Sequence, residues 1–258
     1  MQKRGAGVLE LSWSFFAVAG PAVVFAGMSK GGFGGGAGFV ASLILALLVA
    51  PGLALGIMLP LLMLMDLATM RAYWRKWNSG AALLLILGAL PGLALGGWLY
   101  RVASPEVFKL LIGVIALAFD AWQGARKYGL IRPAARPMPA WGGAIAGAFA
   151  GFTSFVSHAG GPPVAIYLLS RRLPKTEFQA TTVLVFWIIN IVKFPPYLYL
   201  GLFTAETAKA NLLLAPFALF GVWLGVVAHR RVPERLFFAI TYVLLTLTGT
   251  KLIWDALS

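Results

Sequence analysis

Two glycine-rich breaks interrupt apolar stretches of the chain and carry polar side chains that could bind a ligand. Gly27 in the first break and Gly151 in the second are 124 positions apart. Glycine lets a backbone approach a ligand without a Cβ, and N–H groups at a helix start attract anions. This pattern favours anion binding over close packing of helices through small residues. The binding candidates in the breaks are Lys30, Gly34, Gly35, Gly36, Ser154, His158, Gly160 and Gly161.

Hydroxyl and titratable groups at the breaks each allow two interpretations. Ser154 is the strongest of several hydroxyls, the others being Ser29, Thr153 and Ser157, that either donate to an oxyanion or bond their own helix. Lys30 either meets an anion or a cavity at membrane depth or extends its ammonium to the cytoplasmic surface. His158 either titrates near neutral pH and couples proton movement or holds the break by bonding a carbonyl.

A second polar group lies deep in two other apolar stretches. Asp66 and Asn190 are also 124 positions apart, and a carboxylate inside a membrane indicates a functional site. Asp66 is predicted to carry a coupling proton or to pair with Lys193 or Arg71. Asn190 and Lys193 share a helix face because they are three positions apart, so both are substrate-binding candidates, with outward snorkelling as the alternative for Lys193.

The composition requires that membrane-spanning helices position these groups. Hydrophobic residues make up 60% of the 258 residues and charged residues 11%, against about 25% charged in soluble domains. The chain is therefore predicted to be an all-α polytopic membrane protein. Long helices are predicted near 11–29, 53–73, 80–100, 105–122, 140–157, 178–200, 207–228 and 235–256. Shorter pieces are predicted near 35–50 and 162–170, the second as the returning arm of a re-entrant hairpin.

Matching motifs divide the chain into two predicted repeats. Repeat one covers 11–125, a proline-bearing linker covers 126–139, and repeat two covers 140–258. Lys and Arg concentrate in the loops on one side of these spans, which the positive-inside rule assigns to the cytoplasm. The linker is then cytoplasmic, both termini are outside, and the repeats have inverted topology, which is the usual basis of alternating access.

The motifs resemble those of the TauE/SafE family of sulfite-exporter-like membrane proteins. The first-repeat signature is KGGFGGGAGFV at 30–40, and the second-repeat segments of one subgroup are HAGGPPVAIYLL at 158–169 and NIVKFPPY at 190–197. Ala41 and Ser42 replace the proline usual after the first glycine run. The resemblance implies an inner-membrane carrier of small sulfur-containing or organic anions, such as sulfite, sulfoacetate or other sulfonates, without a cofactor.

These observations together predict a secondary anion transporter that is proton-coupled, with a passive anion channel as the alternative. An enzyme is disfavoured because no motif for a nucleophile, a metal or a nucleotide is present. A metal site is not expected, since the chain has no cysteine and His229, the second of its two histidines, belongs to an Arg-rich loop. The net charge of +13 is explained by Lys and Arg in the cytoplasmic loops and does not indicate nucleic-acid binding. The expected partners are the lipid bilayer and a small anion, and a homodimer stays open.

Overall fold

The computed structural model describes residues 11–33, 37–130, 137–228 and 234–258. Over these ranges the regular secondary structure is entirely helical, as the composition predicts. The helices are α1 (Trp13–Gly32), α2 (Val40–Leu48), α3 (Pro51–Tyr73), α4 (Ser79–Val102), α5 (Pro105–Lys127), α6 (Ala140–Ser157), α7 (Gly161–Ser170), α8 (Lys175–Tyr199), α9 (Ala205–Ala228) and α10 (Glu234–Leu257).

Local sequence signals explain where these helices begin. Ser12, Asn78 and Ser104 accept hydrogen bonds from backbone N–H groups in the first turns of α1, α4 and α5, which satisfies donors that lack a helical partner. One prediction differs: α8 continues through Pro195 and Pro196 to Tyr199, where a break or kink is predicted. Both prolines lie in the last turn and a half, so few helical hydrogen bonds follow them.

Seven of the described helices are long and apolar enough to cross a membrane. They are α1, α3, α4, α5, α8, α9 and α10. The two short helices, α2 with 9 residues and α7 with 10 residues, cannot cross at a rise of about 1.5 Å per residue. Each follows a glycine-rich break of the sequence.

α6 and α7 form a hairpin whose two arms start and finish at the same end of the molecule. The backbone N–H of Met138, just before α6, donates to Ser170 Oγ at the end of α7 over 3.2 Å. This geometry agrees with the predicted returning arm. The turn is made by His158, whose φ of 58° is left-handed, although non-glycine residues seldom adopt this conformation.

Close glycine contacts fix how α1 packs on α9 and how α4 packs on α6. Val24 of α1 lies against Gly221 of α9. Four residues later in both helices, Met28 lies against Gly225. α1 and α9 therefore run parallel. The contact between α4 and α6 repeats this arrangement, with Gly88 against Ala144 and Gly92 against Ala148. Small residues let backbones approach in this way.

Two other helix pairs run antiparallel and occupy the centre and one side of the bundle. In the central pair, Asp66 of α3 contacts Asn190 of α8, whereas Gly56, earlier in α3, lies against Leu202 beyond the end of α8. α5 and α10 likewise run in opposite directions, since Gly113 faces Gly249 and Gln123 bonds Tyr242. The crossing of α3 and α8 brings the polar residues of the two halves together.

Candidate functional site

The first polar cluster joins α1, α3 and α8 around Asp66. Lys30 donates from Nζ to Asp66 Oδ1, forming a buried ion pair. Asn190 donates from Nδ2 to Asp66 Oδ2 over 2.8 Å. The carboxylate is completely buried, and each of its oxygens has one donor. Its cationic partner is therefore Lys30, and not Lys193 or Arg71 as the sequence suggests.

The second polar cluster joins α8 to the break after α6. Lys193 donates from Nζ to the carbonyl and hydroxyl oxygens of Ser154 over 3.1 and 3.0 Å, and its Nζ lies 2.9 Å from His158 Nδ1. The other ring nitrogen, Nε2, lies 3.4 Å from the carbonyl of Leu55. A carbonyl only accepts, so Nε2 carries the hydrogen and Nδ1 accepts from the ammonium. This assignment makes His158 neutral.

Pairs of residues that lie 124 positions apart in the sequence come together at these clusters. Lys30 and Ser154 are 124 positions apart, as are Asp66 and Asn190. The first pair comes from the ends of α1 and α6, and the second pair from the middle of α3 and α8. The two breaks therefore reach one central region from different helices.

The electrostatics of this region are dominated by Lys193. Its side chain is completely buried. The ion pairs of Lys30 with Asp66 and of Lys251 with Asp255 do not include Lys193. Lys193 thus has hydrogen-bond acceptors but no carboxylate partner among the described residues. Its Nζ lies within hydrogen-bond distance of three acceptors, which match the three donors of an ammonium group. Counted as an ammonium beside the Lys30–Asp66 pair and a neutral His158, Lys193 leaves the buried groups with one positive charge.

A small cavity lies between the two clusters. Its volume of about 10 Å³ has room for about one water molecule. The ring of Phe186 lies beside it, with its centroid 5.5 Å from Lys30 Nζ. The cavity is lined by Lys30, Gly38, Phe39, Leu62, Ser154, His158, Gly161, Phe186 and Asn190. Both glycine-rich breaks and both central helices thus contribute to one enclosed space.

A larger cavity of about 640 Å³, here called the vestibule, is open to the surface. Gly161 lines both the vestibule and the small cavity. Arg126 and the exposed residues Lys175 and Thr176 also line the vestibule. These residues lie at the end of the bundle where several Arg- and Lys-bearing loops are predicted, here called the basic end.

Packed aromatic side chains fill the opposite end of the bundle. The hydroxyl of Tyr197 in α8 donates to the carbonyl of Phe155 over 2.7 Å, and Tyr197 is completely buried. The ring of Phe203 packs against that of Phe194 with centroids 4.8 Å apart. Lys193 is thereby separated from the surface at this end, which excludes the snorkelling interpretation.

The remaining predicted site residues take different roles. Thr153 and Ser157 bond the carbonyls of Phe149 and Thr153 in their own helix. Ser29 accepts from the N–H of Ala37 and so spans the first break. Gly34, Gly35 and Gly36 lie outside the described residues. A Cβ on Gly160 would lie 2.8 Å from the carbonyl oxygen of Ala150 and 2.9 Å from Phe186, so close packing requires this glycine.

Two residues of the site are not among the candidates that the sequence indicates. Gln179 is buried in the vestibule and donates to the carbonyl of Lys30 over 3.2 Å, which holds the end of α1 against α8. Tyr197 closes the opposite end. A polar residue one turn inside an apolar helix is a weak signal for Gln179. No group of three His, Cys, Asp or Glu side chains that could hold a metal ion occurs in the described part of the chain.

The comparisons with known proteins give one match. The family model described as Sulfite exporter TauE/SafE matches residues 19–252, which include both breaks and both polar clusters. Searches of the curated proteins and of the solved structures found no match to this chain.

Proposed function

Because the chain belongs to the sulfite exporter TauE/SafE family, we propose that it is a secondary transporter of small sulfur-containing or organic anions. The candidates are sulfite, sulfoacetate and other sulfonates. The protein is a multi-pass membrane protein, and we place it in the inner membrane with its basic end in the cytoplasm. Both termini then face outward, and the vestibule opens to the cytoplasm.

The observation that carries this proposal is the complete burial of Lys193 without a carboxylate partner among the described residues. An ammonium group buried without a counterion costs several kcal/mol. An anion that enters and widens the small cavity would meet Lys30, Asn190 and Ser154, and it would lie next to Lys193, which contacts the lining residues Ser154 and His158. The site residues are therefore Lys30, Ser154, His158, Asn190 and Lys193, with the backbone around Gly161 at the start of α7.

Alternating access is supported by the directions of the helices. α3 and α8 occupy equivalent places in the two halves and run antiparallel, as do α5 and α10. The contact of α1 with α9 has its counterpart in that of α6 with α4. We infer two repeats of inverted topology, 11–125 and 140–258, that can exchange their arrangements around the central clusters. In the exchanged state, the end filled by Tyr197 and Phe203 would open.

Proton coupling is inferred from Asp66 and His158. Both oxygens of Asp66 are occupied while Lys30 is its partner. If Lys30 turns to a bound anion, Asp66 loses its buried counterion, and protonation relieves the cost of the isolated charge. His158 contacts Lys193 directly and can take up a proton when Lys193 moves to the substrate. Either path would allow a proton to move together with an anion.

Flux measurements in liposomes test the proposal. The purified protein should take up sulfite or sulfoacetate with saturable kinetics, respond to a pH gradient, and exchange external for internal anion. Lys193→Met should abolish this flux because it removes the charge without shortening the side chain much. Lys251→Met is the matched control, since this exposed lysine of α10 lies outside both clusters. Undiminished flux through Lys193→Met would refute the site, and non-saturable flux without exchange would indicate a passive channel.

A further inference from the structure

We propose that the central site selects its substrate by charge: it accepts an anion carrying one negative charge, and a dianion enters only together with a proton. This inference rests on the proposed anion transport and deepens it. The charged groups that matter are those of the two polar clusters beside the small cavity, and all of them are buried.

The first step is the charge of the occupied site. The Lys30–Asp66 ion pair joins α1 to α3. We take Lys193 of α8 as an ammonium because its Nζ reaches three acceptor atoms. We take His158 as neutral because its Nε2 faces a carbonyl and its Nδ1 faces that ammonium. The remaining polar neighbours, Ser154 and Asn190, are uncharged. Two positive charges and one negative charge leave a single positive charge, which one monoanion neutralises completely.

The second step is the cost of any further charge. Lys30, Asp66, Asn190 and Lys193 are all buried, and Asp66 and Lys193 are completely so. A second negative charge on the ligand would leave the closed site with a net charge of minus one in an environment that excludes water. A buried charge without a counterion is strongly disfavoured. A proton, on the ligand or on Asp66 or His158, would restore neutrality.

The third step names the substrate class. Monosulfonates, monocarboxylates and hydrogensulfite carry one charge and bind as they are. Sulfite and sulfoacetate carry two charges and require a proton at the moment of closure. The substrate's own charge therefore determines whether its movement is coupled to a proton, and one site serves both kinds of anion.

The binding of two anions that differ by one charge tests this inference. Ethanesulfonate and sulfoacetate are similar in length and differ by one charge, so calorimetric binding of both to the protein in nanodiscs isolates the effect of charge. The wild type should bind ethanesulfonate at least about tenfold more tightly than sulfoacetate at alkaline pH. On acidification, the affinity for sulfoacetate should increase relative to the affinity for ethanesulfonate.

Asp66→Asn raises the net charge of the site to plus two and should shift the affinity ratio at least about tenfold toward sulfoacetate. The substitution keeps its hydrogen bonds, because the Asn190 amide can rotate so that its oxygen accepts from the new amide. Asp255→Asn is the control for net protein charge, because Asp255 lies in an exposed pair with Lys251. It should leave the ratio unchanged.

Three outcomes separate the inference from the function. In the first, the wild type binds both anions, and the ratio of their affinities stays the same at every pH and in Asp66→Asn. That result overturns charge selection and does not affect the proposal of anion transport. The absence of binding or flux for either anion overturns the proposed function itself. If Asp66→Asn does not fold, the pH dependence of the wild-type ratio alone decides, and a constant ratio overturns the inference.

Discussion

The two buried lysines should differ strongly in how much the same substitution destabilises the protein. Lys30 is paired with Asp66, whereas Lys193 has no counterion among the described residues. Methionine is unbranched and close to lysine in length, so Lys30→Met and Lys193→Met remove the charge and leave the packing largely intact. The comparison measures the effect of the counterion directly.

The expected magnitudes follow from the contacts of each lysine. Lys30→Met leaves Asp66 buried with one donor, Asn190, and breaking a buried pair in this way costs about 3–5 kcal/mol. Lys193→Met loses three hydrogen bonds to the ammonium, each contributing about 1.5–3 kcal/mol. It also removes a desolvation penalty of several kcal/mol. These terms nearly cancel, so we expect Lys193→Met to lie within about 2 kcal/mol of the wild type.

Thermal unfolding in one detergent, without added anion, checks the contrast. Lys30→Met should lower the melting temperature by roughly 6–20 °C, taking about 2–4 °C for each kcal/mol. Lys193→Met should change it by much less. Addition of a bound anion at about 100 times its dissociation constant should stabilise the wild type by about 2.7 kcal/mol, and it should not stabilise Lys193→Met.

The reasoning fails if Lys193→Met destabilises the protein as much as Lys30→Met does. That result would mean that Lys193 already has a counterion or that its hydrogen bonds outweigh its desolvation. An anion that stabilises Lys193→Met as strongly as the wild type would separately remove Lys193 from the binding site.

Two further predictions concern packing and orientation. Gly92→Ala should destabilise the protein by about 1–3 kcal/mol, because a Cβ there would overlap the carbonyl of Ala148 and push α4 from α6. Gly97→Ala is the control in the same helix. It should be neutral or stabilising, because its Cβ would lie 3.4 Å from Phe155, which is an ordinary contact. Equal melting temperatures of the two variants would contradict the packing argument. For orientation, the chain has no cysteine, so Thr176→Cys in the vestibule and Glu206→Cys at the opposite end can be labelled singly. In intact bacterial cells an impermeant maleimide should modify Glu206→Cys and spare Thr176→Cys, and the reverse pattern would invert the proposed topology.

The sequence determined the class of fold because its signals are local. Apolar runs interrupted by caps, glycine and proline predict helices, and each predicted helix corresponds to an observed one with ends differing by a few residues. The short segment after the second break is too short to cross a membrane, so its return as α7 could be expected from its length. These properties depend on neighbouring residues, which the sequence lists in order.

Local signals do not say which residue makes the turn at the second break. Glycine adopts a positive φ most easily, yet His158 is the residue with positive φ, and Gly160 has an ordinary helical φ of −73°. Gly160 is instead required by its distance from Ala150 and Phe186. Whether a glycine serves conformation or packing depends on what lies beside it in space.

The sequence by itself supplied the residues of the candidate site, since Lys30, Asp66, Asn190 and Lys193 are polar groups in apolar helices. Their pairing was decided only by the tertiary structure. Lys30 and Asp66 are 36 positions apart, and Asp66 and Asn190 are 124 positions apart, so no helical periodicity relates them. Side-chain and glycine contacts along the bundle set the crossing of α3 with α8. This crossing pairs Asp66 with Lys30 and leaves Lys193 buried without a counterion among the described residues.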